Sequence, residues 1–218
     1  MENIVSFFQT GGTFMYPILI IFAFGTAICI ERYIKLAGIG SVNKKVWDKV
    51  YPLLDAGDFE KARSSIADDK SAIANLLNMG LSRQGSVRRR DDIEIAMEES
   101  MMEIIPTLEK RTPFIALFAN ICTLLGLLGT IMGLIEAFTA VANADPAEKA
   151  DMLSASISVA MNTTAFGLMA AIPLLIIHAI ISSKTVEIID SLEMASVKTL
   201  NLIANFSKRQ AELAAKNG

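Results

Sequence analysis

Three long stretches of this sequence carry no charged side chain: residues 3–30, 112–135 and 152–183. A helix needs about 20 apolar residues to cross a hydrocarbon core of about 30 Å, and each stretch is long enough. The 20 basic and 23 acidic residues all lie in the rest of the chain. This separation excludes a single soluble globule, a disordered tail protein and a disulfide scaffold. It predicts an all-α integral membrane protein with a polar segment between its spans.

The positions where charges resume set the expected boundaries of the domains. The first span has no positively charged segment before it and no cleavage site after it, so we interpret it as an uncleaved span. We expect an N-terminal periplasmic or interfacial segment at 1–13, transmembrane helices at 14–31, 112–141 and 154–183, a cytoplasmic helical segment at 32–111, a periplasmic turn at 142–153 and a cytoplasmic C-terminal helix at 184–218.

The basic residues predict the orientation in the membrane, because short cytoplasmic loops are enriched in Lys and Arg. Fourteen of the 20 basic residues lie between Arg32 and Arg111, and five follow the third span. Only Lys149 lies in the loop between spans two and three. We therefore expect a periplasmic N-terminus and a cytoplasmic C-terminus in a multi-pass protein of the bacterial inner membrane.

The polar segments have helical periodicity. Between the first two spans we expect short helices at Lys45–Leu54, Phe59–Ile66 and Ser71–Leu81, a turn at Gly85-Ser86 and a longer helix at Asp91–Lys110, with a kink at Pro106. Nothing interrupts Lys184–Lys216 with Gly or Pro, so spans two and three are expected to continue into the cytoplasm as long helices. The fold class is thus three transmembrane helices with a helical cytoplasmic domain, formed by the first loop and the extensions of spans two and three.

Several functions have no support in the sequence. There is no nucleophile–base set, phosphate-binding loop or dinucleotide fingerprint, so we predict that the protein is not an enzyme and needs no cofactor. One histidine and no Cys-x-x-Cys predict no metal site. The net charge of −3 does not suggest a nucleic-acid partner. The basic run Arg88-Arg89-Arg90 is either a solvated helix junction or a contact with membrane lipid or an acidic partner.

Spans two and three are rich in small and hydroxylated residues. Small residues let membrane helices approach closely, because lipid gives helices no hydrophobic reason to associate. Several hydroxyls at one level also suggest a polar pathway between helices. Glu136 lies at the outer end of span two, and neither span contains another Asp, Glu, Lys or Arg, so a proton relay inside the membrane would need a carboxylate from another polypeptide. The candidate packing residues are Gly126, Gly129, Gly133 and Gly167, and the candidate pathway residues are Thr130, Asn162, Thr163 and Thr164.

Two motifs carry a family resemblance. Residues 123–138 (TLLGLLGTIMGLIEAF) and 156–173 (SISVAMNTTAFGLMAAIP) resemble spans two and three of the MotA/TolQ/ExbB proton-channel family, and residues 57–62 (GDFEKA) match it more weakly. The predicted topology resembles the three-span ExbB/TolQ branch. The resemblance implies a ring, a pentamer in this family, around an ExbD/TolR-like single-span partner whose membrane Asp carries the proton.

The resemblance also implies what this motor does and which residues take part. Ion flow would drive work that passes to a TonB-like or TolA-like protein spanning the periplasm. Thr130 and Thr164 match the threonines that face the partner's Asp, and Pro173 matches the family proline near the end of span three. Val159, Thr123 and His178-Ala179 depart from the usual Glu, Pro and Tyr-Asn. The missing Glu leaves open a sodium-driven member and a non-conducting membrane scaffold, and an unrelated three-span anchor is a further alternative.

Overall fold

The structure is a computed structural model that describes residues 11–83, 90–142 and 144–217. Within these ranges all regular secondary structure is helical. The helices are α1 (Met15–Asp55), α2 (Phe59–Ser64), α3 (Ala72–Arg83), α4 (Arg90–Glu109), α5 (Thr112–Ala142) and α6 (Lys149–Asn217). Helix α1, helix α6 and the segment containing α4 and α5 are each long and apolar enough to cross a membrane. The predicted all-α fold class is confirmed.

The chain forms two compact units. The first comprises the chain up to Arg32 together with Arg111–Ile181, and it contains the charge-free part of each long helix. The second comprises Tyr33–Lys110 and the chain from Ser182 onward, and it contains α2, α3 and α4 with the distal parts of α1 and α6.

Helix α1 is longer than the sequence suggested. It runs for 41 residues without a break, so the prediction of a separate short helix at Lys45–Leu54 is wrong. Apolar side chains are buried along its distal half and override the glycines at 38 and 40; they are Leu36 and, at intervals of four residues, Val46, Val50 and Leu54. Pro52 lies in the last turn, where the missing N–H removes one ladder bond and the helix then ends.

The other helices of the second unit lie close to their predicted places. Helices α2, α3 and α4 occupy the three expected regions, although α3 continues through Gly80 to Arg83 and Pro106 lies inside α4. The predicted turn at Gly85-Ser86 and the basic residues Arg88 and Arg89 lie outside the described residues. Helix α6 confirms the expectation that span three continues as one long helix, since it runs for 69 residues.

Span two does not join the preceding cytoplasmic helix as one continuous helix, as the sequence analysis had expected. Helices α4 and α5 are separated by Lys110 and Arg111, and Arg111 has a φ of 68°. Pro113 lies two residues later in the first turn of α5, where its missing N–H costs nothing. The break therefore lies beside Pro113, seven residues after the proline that was expected to kink the chain.

Candidate ion-pathway site

Helices α5 and α6 approach each other through glycine. A Cβ atom added to Gly167 would lie 2.7 Å from the carbonyl oxygen of Cys122 and 3.0 Å from the Cα of Gly126. A Cβ added to Gly126 would in turn lie 3.3 Å from the Cα of Gly167. All these neighbours are backbone atoms, so no rotamer change could relieve the clash at Gly167. Close backbone approach of this kind is what small residues provide in membrane helices.

Two threonine hydroxyls meet at this crossing. The side-chain oxygen of Thr164 donates a hydrogen bond to the carbonyl of Gly126 at 2.8 Å, and Thr130 reaches the same carbonyl at 3.1 Å. The two hydroxyls also contact each other, and Thr130 lies 3.4 Å from the carbonyl oxygen of Ala160. Both side chains are only partly buried. Thr130 and Thr164 therefore form one polar cluster on the two helices, which we call the threonine pair.

Thr163 has a different environment from the threonine pair. Its side chain is 2% exposed, and its hydroxyl oxygen lies 2.5 Å from the carbonyl of Gly11 and 3.1 Å from the carbonyl of Val159. Because a hydroxyl has a single proton to donate, this group is occupied by backbone acceptors. The buried hydroxyl of Thr163 thus holds the residues that precede α1 through its hydrogen bond to the Gly11 carbonyl.

The residues before α1 pack against α5 and α6 near Gly129 and Val159. A Cβ added to Gly12 would lie 3.3 Å from Val159, and one added to Gly129 would lie 3.2 Å from Phe14 and would clash with Thr163. Gly12 has a φ of 76°, which residues with a Cβ rarely adopt. The sequence analysis missed this contribution of Gly11, Gly12 and Phe14. The Gly11-Gly12 dipeptide was the available signal.

The remaining candidates lie along the same helix pair. Asn162 and Val159 are partly buried on α6, one on each side of the fully buried Ala160. A Cβ added to Gly133 would lie 3.0 Å from Ala160, which extends the close packing of the two helices. Pro173 is exposed within α6. The structure therefore brings the threonine pair and the glycines into one crossing, with Pro173 two to three turns further along α6.

A second set of polar contacts joins the end of the first span to the start of the second, and the sequence analysis did not predict it. Arg111 donates from Nη1 to both carboxylate oxygens of Glu31, at 2.9 and 2.8 Å. Arg32 is 1% exposed and donates from Nε to the hydroxyl of Thr112 at 3.3 Å. Two consecutive residues of α1 thus pair with two consecutive residues at the start of α5. The available signal was the charged pair Glu31-Arg32 after span one and the basic pair Lys110-Arg111 before span two.

The chemistry available at the threonine pair is hydrogen bonding. A hydroxyl can donate to a carboxylate and can accept from a protonated one, so two hydroxyls at one level can serve either state of an acid. Residues 112–135 and 152–183 contain no Asp, Glu, Lys or Arg. The pair can therefore position an ionisable group, and that group has to come from outside these two charge-free stretches.

Two kinds of similarity to known proteins show which family this chain belongs to. Residues 68–194 match the sequence profile of the MotA/TolQ/ExbB proton channel family. The chain is similar to the biopolymer transport ExbB homolog of Methanothermobacter thermautotrophicus, with 26% identity over 199 residues, covering 90% of this chain and 69% of that protein. It is also similar to the Tol-Pal system protein TolQ of Haemophilus influenzae, with 41% identity over 78 residues, covering 36% of this chain and 34% of TolQ. The chain is thus a multi-pass membrane protein that belongs to the MotA/TolQ/ExbB proton channel family.

Proposed function

We propose that this protein is the ring-forming subunit of an ion-driven motor in the inner membrane. Several copies surround an ExbD/TolR-like single-span partner, and a membrane Asp of that partner carries the proton. The flow of protons down their gradient drives work that reaches a TonB-like or TolA-like protein, and so energises transport across the cell envelope. Membership of a proton channel family supports the ion-conducting part of this proposal.

The threonine pair is the observation that carries the proposal. Thr130 and Thr164 share the Gly126 carbonyl and remain partly exposed, so each can reorient toward a neighbouring acid. An isolated charge at the bilayer centre costs roughly 2.5–3.5 kcal/mol on the insertion scale, and hydroxyl donors lower that cost. A partner Asp beside this pair would be solvated when ionised and hydrogen-bonded when neutral.

The proposal includes the domain boundaries and the orientation. The transmembrane segments are 14–31, 112–141 and 154–183, with the segment 32–111 and the C-terminal residues in the cytoplasm. The distribution of basic residues supports this orientation. The pairing of Arg111 and Arg32 with residues of the other span lies at the proposed cytoplasmic boundary, where long basic side chains are tolerated.

Val159 favours a second candidate, a sodium-driven or non-conducting member. Val159 lies on α6 beside Gly12. The family resemblance leads us to expect Glu at this position, but valine has no titratable group. A ring without a carboxylate at this position depends on the partner for one beside the threonine pair. If the partner supplies no acid either, only the oxygen ligands of Asn162 and the threonines remain, and these suit a sodium ion or no ion.

The test is co-expression with a single-span ExbD/TolR-like protein encoded beside this chain. Native mass spectrometry of the purified complex should show a ring that retains the partner. In proteoliposomes, a pH gradient alone should drive flux, and the partner's Asp→Asn variant should abolish it while the complex stays assembled. A ring that never retains the partner supports the scaffold. Flux that requires sodium and ignores the pH gradient supports the sodium-driven alternative.

A further inference from the structure

Helix α4 has apolar side chains on its exposed face. Ile95 and Met102 are 59% and 73% exposed, and their spacing of seven residues puts them on one face of the helix. Pro106 follows one turn later and is also exposed. The opposite face of α4 packs on α3, where a Cβ added to Gly80 would lie 2.6 Å from the sulfur of Met97. Exposed apolar side chains with a polar border commonly mark a protein contact, and the proposed motor does not yet use this face.

Carboxylates border these apolar side chains on both sides. At about 100° per residue, four exposed glutamates lie along the line that joins Ile95 to Met102. They are Glu98 and Glu109 on one side and Glu99 and Glu103 on the other. We call these six residues the acidic strip. Helix α4 contains seven acidic residues and one basic residue, and carboxylates this close to the apolar side chains exclude hydrocarbon as their cover. A surface that covers the strip must therefore carry positive charge.

The distal half of α1 has the opposite charge. Lys35, Val42 and Lys49 follow at intervals of seven residues, and Ile34 and Lys45 lie beside them on the same side of the helix. We call these five exposed residues the lysine face. Two of them are apolar, with exposures of 66% for Ile34 and 45% for Val42. The part of α1 in the second unit has four lysines and two aspartates. The lysine face therefore complements the acidic strip in both charge and apolar content.

Charge complementarity favours a second copy of this chain as the occupant of the acidic strip. Opposite charges on two surfaces promote their encounter, and like charges prevent two acidic strips from pairing with each other. Within one copy the acidic strip and the lysine face are both exposed, so neither covers the other. Each copy can therefore offer one face to each of two neighbours. A contact between two different faces of identical subunits is heterologous, and it generates a ring when the rotation closes.

We propose that the acidic strip of one copy packs against the lysine face of the next copy. The apolar side chains of the two faces meet in the middle of the contact, and the glutamates pair with the lysines along its borders. The inference rests on the proposed function, because it names the surfaces that join neighbouring subunits of the ring in the second unit. It involves neither the threonine pair nor the flow of ions.

Cysteine crosslinking of the full-length protein in nanodiscs tests this contact. Met102→Cys and Val42→Cys are co-expressed as separate chains, and the two native cysteines, Cys29 and Cys122, are buried. The mixture should give crosslinked dimers and nothing larger, because each chain has one exposed thiol. Neither variant should crosslink alone, since the contact joins different faces. A chain that carries both substitutions should give a ladder of products up to the size of the ring.

Charge reversal measures the electrostatic part of the contact. Glu98→Lys and Lys45→Glu should each reduce the crosslinked yield roughly fivefold at low salt, as expected for the stronger exposed ion pairs, and high salt should weaken the effect. The two reversals together should restore most of the yield. The matched control is Glu60→Lys, which makes the same change at an exposed position of α2 and should leave the yield unchanged.

Native mass spectrometry of the same samples separates this inference from the proposed ring. A ring that forms without the crosslink between positions 102 and 42 would overturn the contact and leave the proposed function standing. A chain that never forms a ring would contradict both. Crosslinking of Met102→Cys to itself would show that two α4 helices pair, and would overturn the heterologous contact.

A second measurement identifies the occupant without cysteine. A photo-crosslinking amino acid in place of Met102 should capture a peptide from the distal half of α1 of another copy. Capture of the single-span partner would assign the acidic strip to that protein, and capture of lipid would place the strip at a membrane surface. Either result would overturn the proposal.

Discussion

The hydroxyl of Thr164 on α6 donates to the carbonyl of Gly126 on α5 across 2.8 Å, and a Cβ at position 126 would lie only 3.3 Å from the Cα of Thr164. The hydrogen bond and the glycine therefore depend on each other. A larger residue at 126 would push Thr164 away, and loss of the hydroxyl would leave the carbonyl to Thr130 alone. The polar cluster is thus built on a close helix crossing.

Replacing either member of the threonine pair by valine should impair ion flow. Thr130→Val and Thr164→Val each keep the shape and remove one hydroxyl that would serve the partner's Asp. A hydrogen bond to a charged group contributes about 1.5–3 kcal/mol, so flux in proteoliposomes should fall about tenfold or more. Native mass spectrometry should show an intact ring, and Thr164→Ser should retain most of the flux. Normal conduction by both valine variants would show that the pair has no such role.

Gly167→Ala should destabilise the first unit. The added Cβ meets the carbonyl oxygen of Cys122 at 2.7 Å, and neither helix can relieve this by moving a side chain alone. Overpacking of this kind costs about 1–3 kcal/mol, which thermal unfolding in nanodiscs can measure. Gly38→Ala is the matched control, because a Cβ there has no neighbour within 4 Å among the described residues. That helical position should gain up to about 1 kcal/mol. Equal effects at both positions would contradict the close crossing.

Thr163→Val should loosen the residues that precede α1. The variant leaves the buried carbonyl of Gly11 without the hydroxyl that contacts it, at a cost of about 1–3 kcal/mol. Hydrogen–deuterium exchange of a peptide covering residues 11–20 should accelerate, and Thr163→Ser should restore slow exchange. The control is Thr139→Val, since the hydroxyl of Thr139 is exposed and bonds only its own helix at Ile135. Unchanged exchange in Thr163→Val would mean that this hydrogen bond contributes nothing.

Arg111→Gly should stabilise the α4–α5 junction once its ion pair is removed. A φ of 68° costs a residue with a Cβ about 1–2 kcal/mol, and glycine avoids this cost. In a Glu31→Gln background the change should therefore raise stability by about 1 kcal/mol. In the wild-type background the gain should be smaller, because a half-exposed ion pair contributes about 0.2–1 kcal/mol and weakens with salt. Destabilisation in the Glu31→Gln background would show that Arg111 has another role.

Much of the fold could be predicted from the sequence, because long charge-free segments have few alternatives to a membrane helix. The continuation of span three as one helix beyond Lys184 was also predictable from the absence of Gly and Pro up to Lys216. The continuity of α1 was not, because glycine and proline weaken a helix locally, whereas the burial of Leu36, Val50 and Leu54 depends on contacts with distant residues. Local sequence patterns predicted the helices correctly where every residue favoured a helix. They were misleading where glycine and proline opposed a helix that tertiary contacts stabilise.

The candidate site was predictable to a similar extent. The abundance of small residues and hydroxyls in spans two and three predicted close packing and a polar cluster, and the structure brings Gly126, Thr130 and Thr164 together. The difference between Thr163 and Thr164 could not be derived, because it depends on Gly11, which is 152 residues away in the chain. Adjacent residues of one helix point in directions about 100° apart, and only the tertiary structure shows which direction meets a neighbour.

The carbonyl shared by Thr130 and Thr164 has a consequence for genetics. Because both hydroxyls and the Gly126 backbone contact one another, a loss at any one of these positions changes what the other two must do. A selection for revertants of Thr164→Val should therefore recover second-site changes at positions 126 and 130 before changes elsewhere in the spans. Natural drift at the three positions is constrained in the same way, since each substitution must be tolerated by the other two.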